Sequence, residues 1–387
     1  MILPPSFFEE INTHGAVYEG SIPTLFGNRK PPSSAYATLS PVFRLENADE
    51  GLFVGGNFWD GQATGLKLGN PAADQAQGPF LNPVEQALPD AACVVERVCH
   101  AGIGDLFTLI WGAPSCAIPW PADLNAVCAE PEGTVTLSKA DRATVDTAFA
   151  AIALSVAAFE DARVVNQFSS KFDLFRAGKV ELTEQERQGL QLFEGQALCA
   201  NCHTLTSPDQ REPPVFTDFT YDNIGVPRNP ENPFYDEPDF NPEGRDWVDR
   251  GLGGFLATTP VRHPDGSIPV PDYQDFAKAN DGKQKVPTLR NVDKRPQPGL
   301  VKAYMHNGYF KSLQSVVHFY NTRNVKPRCP DRFTTEAQAL AQGCWPEPEV
   351  PGNVNRQELG DLGLTPAEEA ALVAILQTLS DGFRRSP

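Results

Sequence analysis

The sequence predicts a mainly α-helical protein whose helices are joined by long ordered loops. Three observations carry this. Pro 36 and Gly 31 in 387 residues place a turn former or chain breaker at short intervals. Period-two alternation of apolar residues is scarce, so strands have little support. The segments with regular periodicity carry helix-start signals instead. Residues 1 to about 90 are rich in Pro, Gly and Asn and read as ordered loop with short helices. Ser138 caps a helix that runs to about Asp161, with Asp141 suited to its positive N-terminal end. Thr183 to Glu186 is a capping box opening a helix with Leu190 and Phe193 on one face. Ser312 caps a short helix from about Leu313. Thr365, Pro366 and Glu368 open the last helix, and Gly382 is expected just past its end. No tandem repeat or low-complexity tract is visible. A second unit begins near Phe172, which divides the chain into 1–170 and 171–387.

Hydrophobic residues make up 41% and charged residues 21%, as in a folded globular chain. The net charge is −17, a balance that repels phosphate backbones and anionic lipid. Nucleic-acid and membrane-surface roles are disfavoured, and a basic protein partner or a cation is favoured. The most apolar run, Ala148 to Phe159, is shorter than a bilayer span, so no membrane span is expected. The opening Met1 to Ser6 lacks the basic, apolar and cleavage regions of a secretory leader.

The eight cysteines divide by spacing. Cys199 and Cys202 belong to one motif. Cys93, Cys99, Cys116, Cys128, Cys329 and Cys344 read as three disulfides, with Cys329–Cys344 one of them. The other four residues allow three pairings. Free buried thiols are the alternative. An oxidising compartment follows from the disulfide reading.

Cys199-Ala200-Asn201-Cys202-His203 is the attachment pattern for c-type haem. Two thiols one turn apart reach both vinyl groups of one porphyrin, and the adjacent histidine is directed under the iron. A zinc site would need a second Cys or His pair, and none of matching spacing exists. The immediately following histidine also fits haem better than a thioredoxin-like motif. For the far side of the iron the candidates are Met305, His306, His318, His263 and Tyr320. Leu313, Val316, Val317 and Tyr320 share an apolar helix face, and His318 points elsewhere. From spacing alone, Tyr320 is better read as a core tyrosine with a satisfied hydroxyl than as a ligand.

These motifs, taken together, resemble a known family. Thr183 to His203, Phe216 to Phe219, Asn223 to Pro227, Lys285 to Asn291, Tyr304 to Gly308 and the terminal helix are similar to the bacterial di-haem cytochrome c peroxidases and their MauG-type relatives. So are Phe58 to Gly61, Gln75, Pro79 and Asn82 to Glu85. The resemblance implies cytochrome c-like helical domains and two haems, one meeting hydrogen peroxide and one handling electrons. It implies that Glu85 shuttles the proton of O–O cleavage and Gln75 orients peroxide. Trp59 matches the tryptophan between the haems. The reducing or oxidised partner is an electron-donor protein such as a small cytochrome, or a protein side chain, in the periplasm. Calcium between the domains is a further family feature, bound largely through backbone carbonyls.

Two departures qualify this. Fourteen residues after His306, where the peroxidases carry a methionine ligand, stands Tyr320, as in the MauG-type branch. A phenolate favours ferric and higher states, so Tyr320 becomes the expected distal ligand and Met305 the second choice. The second departure is the missing attachment motif upstream of Trp59. It reads as a chain shortened at its N-terminus, with a split protein or a one-haem derivative as alternatives. The calcium positions usually held by Thr and Pro are Val301 and Ala303. The rival function is a single-haem periplasmic electron carrier without peroxidase activity, and a haem-bearing sensor or scaffold is a third reading.

Overall fold

A computed structural model describes residues 16–206, 213–295, 300 and 302–384. Met1 to Ser6 and Val301 lie outside the described residues. The regular elements are β1 (Arg44–Asn47), β2 (Leu52–Val54), α1 (Pro71–Leu81), α2 (Ala91–His100), α3 (Gly104–Trp111), α4 (Leu124–Val127) and α5 (Lys139–Glu160). They continue with α6 (Lys171–Arg176), α7 (Glu184–Glu194), β3 (Tyr221–Asp222), α8 (Gly251–Thr258) and β4 (Gln284–Lys285). Last come α9 (Leu313–Thr322), α10 (Glu336–Gln342) and α11 (Pro366–Gln377). Both sheets are two-stranded and antiparallel, β1 with β2 and β3 with β4. In the second, Tyr221 faces Lys285 and Asp222 faces Gln284. Helix predominates, as expected, with 3-10 turns and loops between.

The capping signals do what their chemistry allows. Ser138, Thr183, Ser312 and Thr365 each accept the N–H three residues on, and the boxes at Thr183–Glu186 and Thr365–Glu368 are closed reciprocally. The last helix ends at Thr378, so Gly382 lies beyond the cap rather than forming it. The loop-rich first ninety residues contain the β1–β2 pair and α1, capped by Asn70 and started by Pro71.

Three disulfides form, Cys93–Cys128, Cys99–Cys116 and Cys329–Cys344. The first two tie α2 to the segments after α3 and α4. Cys93 sits in a core with Val94, Val95, Phe107, Ile118 and Val145. The Ala148–Phe159 run lies in helix α5, whose 22 residues are long and apolar enough to cross a bilayer by length and composition only, a test that a core helix also passes. It packs on α1 and α2 and buries Val145, Phe149, Ile152 and Ala153.

The largest core lies wholly after residue 171, where α7, α9 and α11 meet. Helices α7 and α11 cross closely at Gly189: a Cβ there would strike the Ala371 carbonyl, so only glycine permits the approach. Two other cores span the two halves. Phe43 and Phe53 pack with Tyr221, Leu252, Phe255 and Tyr273, and Tyr36 packs with Val215 and Phe219.

Candidate haem site

Cys199, Ala200 and Asn201 form a 3-10 turn just after α7, entered through Leu198 in the left-handed region at φ 54°. The His203 N–H donates to the Cys199 carbonyl at 2.9 Å, so one closed turn carries both thiols and the imidazole. His203 Nδ1 lies 2.9 Å from the Phe216 carbonyl. A carbonyl can only accept, so Nδ1 carries the proton and the Nε2 lone pair is left free for a metal. Burial pushes the imidazole pKa down to about 4, which keeps that lone pair available. Burial also pushes the Cys199 and Cys202 thiols up to about 12, so both stay neutral.

These groups open into a cavity with about 1490 Å³ of space free of protein atoms, its open mouth included. Cys199, Cys202, His203, Met305, Tyr320 and Trp59 all line it. Much of the wall is apolar, from Phe193, Leu289, Val292, Leu313, Val316 and Val317. The face of α9 marked out by Leu313, Val316, Val317 and Tyr320 is therefore the cavity face. His318 turns away and bonds Glu369 through Nδ1 at 2.9 Å. Burial holds the Tyr320 phenol far above its ordinary value, with nearby Cys202, Cys199 and Asp222 adding to the effect. Met305 stands in the left-handed region at φ 68°, directly before His306.

Trp59 reaches this cavity from the first half of the chain. It is 8% exposed, and its indole N–H donates to the Lys30 carbonyl at 2.7 Å. The His306 ring meets it edge to face at 6.3 Å. Around the pair lies a buried charged network. Arg29 forks onto Asp249 at 2.6 and 2.7 Å and reaches Asp60 at 2.5 Å. His306 Nε2 faces Glu349 at 3.4 Å. Burial alone would raise the Asp249 carboxyl, but the Arg29 guanidinium holds it well below the ordinary range.

Known proteins resemble the chain over most of its length. A sequence model of the family described as di-haem cytochrome c peroxidase matches residues 9–181. The methylamine utilization protein MauG of Paracoccus denitrificans is 32% identical over 357 residues, covering 92% of this chain and 75% of its own. The chain belongs to the di-haem cytochrome c peroxidase family. The cytochrome-c peroxidase IdrP2 of Denitromonas iodatirespirans is 30% identical over 203 residues, covering 51% of this chain and 40% of its own. Among solved structures, the diheme peroxidase BthA from Burkholderia thailandensis superposes with a TM-score of 0.64 at 28% identity, covering 98% of this chain and 78% of its own. The chain is thus a c-type haem oxidoreductase of the peroxidase type.

Not all the residues picked from sequence come together. Glu85 and Gln75 do not line the cavity that holds Cys199, His203, Tyr320 and Trp59. Gln75 is half-buried on α1. Glu85 follows that helix and accepts from Asn82 Nδ2 at 2.8 Å, while burial raises its carboxyl above the ordinary range. Sequence reasoning also missed Gln284, Lys285, Asp249 and Glu349, which line the cavity beside Trp59. Lys285 opens the KVPTLRN segment, so it was quoted for its family likeness but given no role.

Proposed function

We propose that the cavity in 171–387 holds one covalent haem c, attached at Cys199 and Cys202, with His203 as proximal and Tyr320 as distal ligand. Residues 1–170 form the companion unit, in which Gln75 and Glu85 serve a second, peroxide-meeting haem. The observation that carries the proposal is the convergence of the attachment turn, the neutral His203 lone pair, Tyr320 and Trp59 on one cavity. The haem supplies redox chemistry at iron, reduced or oxidised in one-electron steps. The chain's own residues do the rest: His203 is oriented by the Phe216 carbonyl, and the apolar wall keeps water off the porphyrin face. Trp59 offers an indole between the halves through which charge passes toward a donor protein or an oxidised side chain. A hard phenolate from Tyr320 in place of a thioether biases the site toward ferric and higher states. That favours oxidation of a protein partner, in the manner suggested by the MauG likeness, over uptake of electrons from a small cytochrome. Three disulfides and covalent haem both point to the periplasm.

Calcium is not part of this proposal. Beside Ala303 the Lys302 ammonium donates to the Asn291 and Lys294 carbonyls, and Lys30 adds a second positive charge nearby. A divalent cation would meet repulsion there.

The test is haem count and reactivity on protein from its native compartment. Two haems per polypeptide, with an open high-spin iron that reacts with peroxide, is the expected result. One low-spin, six-coordinate, peroxide-inert haem would give the function to the electron-carrier reading. In the same preparation Tyr320→Phe is expected to change the haem spectrum, and an unchanged spectrum passes the ligand role to Met305 or a histidine. Glu85→Gln is expected to slow peroxide turnover about 100-fold at unchanged haem content, a general acid–base contribution. Equal turnover in the variant would remove Glu85 from the mechanism.

A further inference from the structure

One group in the cavity wall has no partner. Gln284 stands on β4, and both its Oε1 and its Nε2 are buried without a hydrogen bond among the described residues. A buried amide left unpaired costs about 1–3 kcal/mol, so its retention calls for a ligand. Its Nε2 lies over Gly251, where an added Cβ would come within 2.8 Å of it. Gly251 N–H in turn bonds Asp249, so the amide belongs to the same polar corner as Asp249, Glu349 and His306.

The next residue supplies charge. The Lys285 ammonium donates to Ser40 Oγ at 2.6 Å, to Asn57 Oδ1 at 3.2 Å and to the Gly56 carbonyl. All three acceptors are neutral, and burial pushes the ammonium down to about 7. The carboxylates on the cavity wall are already engaged. Asp249 is paired with Arg29 and Glu349 faces His306, while Asp222 and Glu358 share the Asn355 amide. The cavity wall therefore offers an N–H donor without an acceptor, and the next residue on the strand carries a positive charge bonded only to neutral groups. An anionic carboxylate would satisfy both. A porphyrin tethered by its vinyl edge brings two such carboxylates, its propionates, into the same cavity.

We propose that Gln284 donates through Nε2 to a propionate of the haem attached at Cys199 and Cys202, with Lys285 as the counter-charge. This rests on the haem reading of the attachment turn. The bound propionate gives Nε2 its acceptor and sets the charge felt by the iron: a donor or cation at the propionate favours the ferrous state, and its loss favours the ferric.

The experiment uses the full haem-loaded chain and its Gln284→Leu, Gln284→Glu and Gln284→Lys variants. Intact mass gives covalent haem content, resonance Raman reads the propionate bending band, and spectroelectrochemistry gives the midpoint potential. Gln284→Leu is expected to move the propionate band to its free position and lower the potential at unchanged haem content. Gln284→Glu lowers the potential further, and Gln284→Lys raises it. A propionate band and potential unmoved in Gln284→Leu would overturn the assignment, as would shifts of the same sign in Gln284→Glu and Gln284→Lys. Wild-type chain without covalent haem would overturn the haem reading itself, and the mass alone identifies that case.

Discussion

Two turns, one from each half of the chain, share a backbone and differ in what surrounds them. Asn57 bridges to Ala63, and Tyr304 bridges to Phe310. The second residue of each turn is left-handed, Phe58 at φ 63° and Met305 at φ 68°, and so is the fifth, Gly61 at 80° and Gly308 at 69°. The third residues are Trp59 and His306, the two rings that meet edge to face. Each turn also takes a backbone hydrogen bond from a lysine of the other half. Lys285 N–H donates to the Trp59 carbonyl and Lys30 N–H to the His306 carbonyl, both at 2.7 Å. The scaffold is duplicated around the junction, but the attachment turn Cys199–His203 stands on one side of it. Symmetry of backbone here does not bring symmetry of chemistry.

The sharpest way to break that comparison is to remove the attachment thiols. Cys199→Ser with Cys202→Ser is expected to abolish covalent haem in 171–387, read by intact mass. Haem mass surviving in the double variant would show that the first half binds its own porphyrin covalently.

Next in size is a buried ion pair of the second half that borders the seam. Arg290 has a fully buried side chain, forks onto Asp173 at 2.8 and 3.0 Å, and lies 4.4 Å from the Phe168 ring centroid. Arg290→Met leaves the buried Asp173 with its Ser170 bonds but no counter-charge, and is expected to cost about 3–5 kcal/mol in urea unfolding. A loss under about 1 kcal/mol would mean that the pair contributes no more than an exposed one. The same pair has a pH signature. Burial alone would raise the Asp173 carboxyl, but Arg290 and Ser170 bring it below its ordinary value. Its contribution is therefore full above about pH 4 and lost as pH falls through the lower, folded value. Acid unfolding curves of wild type and Arg290→Met should converge below that range.

The disulfides sharpen the contrast further. Cys93–Cys128 closes a separation of 35 residues and Cys329–Cys344 one of 15. Removing either pair by alanine substitution is expected to cost about 2–4 kcal/mol, with the first roughly 0.7 kcal/mol the larger from loop entropy. The reverse order in calorimetry would show that the packing of Cys93 or Cys329 outweighs chain entropy. The smallest effect is that of Trp59→Phe on stability: losing the indole bond to Lys30 should cost about 1 kcal/mol. A neutral result would mean that the ring is held by its His306 contact alone.

What could be read from sequence depended on how local its cause was. Helix starts were legible because a cap is decided within four residues, as at Thr183–Glu186 and Thr365–Glu368. The attachment turn was legible for the same reason. The repeated turn was not. Of Asn57–Ala63 and Tyr304–Phe310, only Gly61 and Gly308 agree in residue type, because backbone angles and backbone N–H groups donated from the other half shape the turn. Gln284 and Asp249 were equally silent: their place beside Trp59 is set by β3–β4 pairing and by Arg29. The pairing of Cys93 with Cys128, rather than with Cys99 or Cys116, depends on how α2 meets α4.

Trp59 comes from the first half, yet it walls the cavity of the second. A cavity walled in this way is finished only when the halves have docked. Its shape is thus a property of the whole chain, so a change in the first half that never touches Cys199 or Cys202 still reaches the surroundings of that turn.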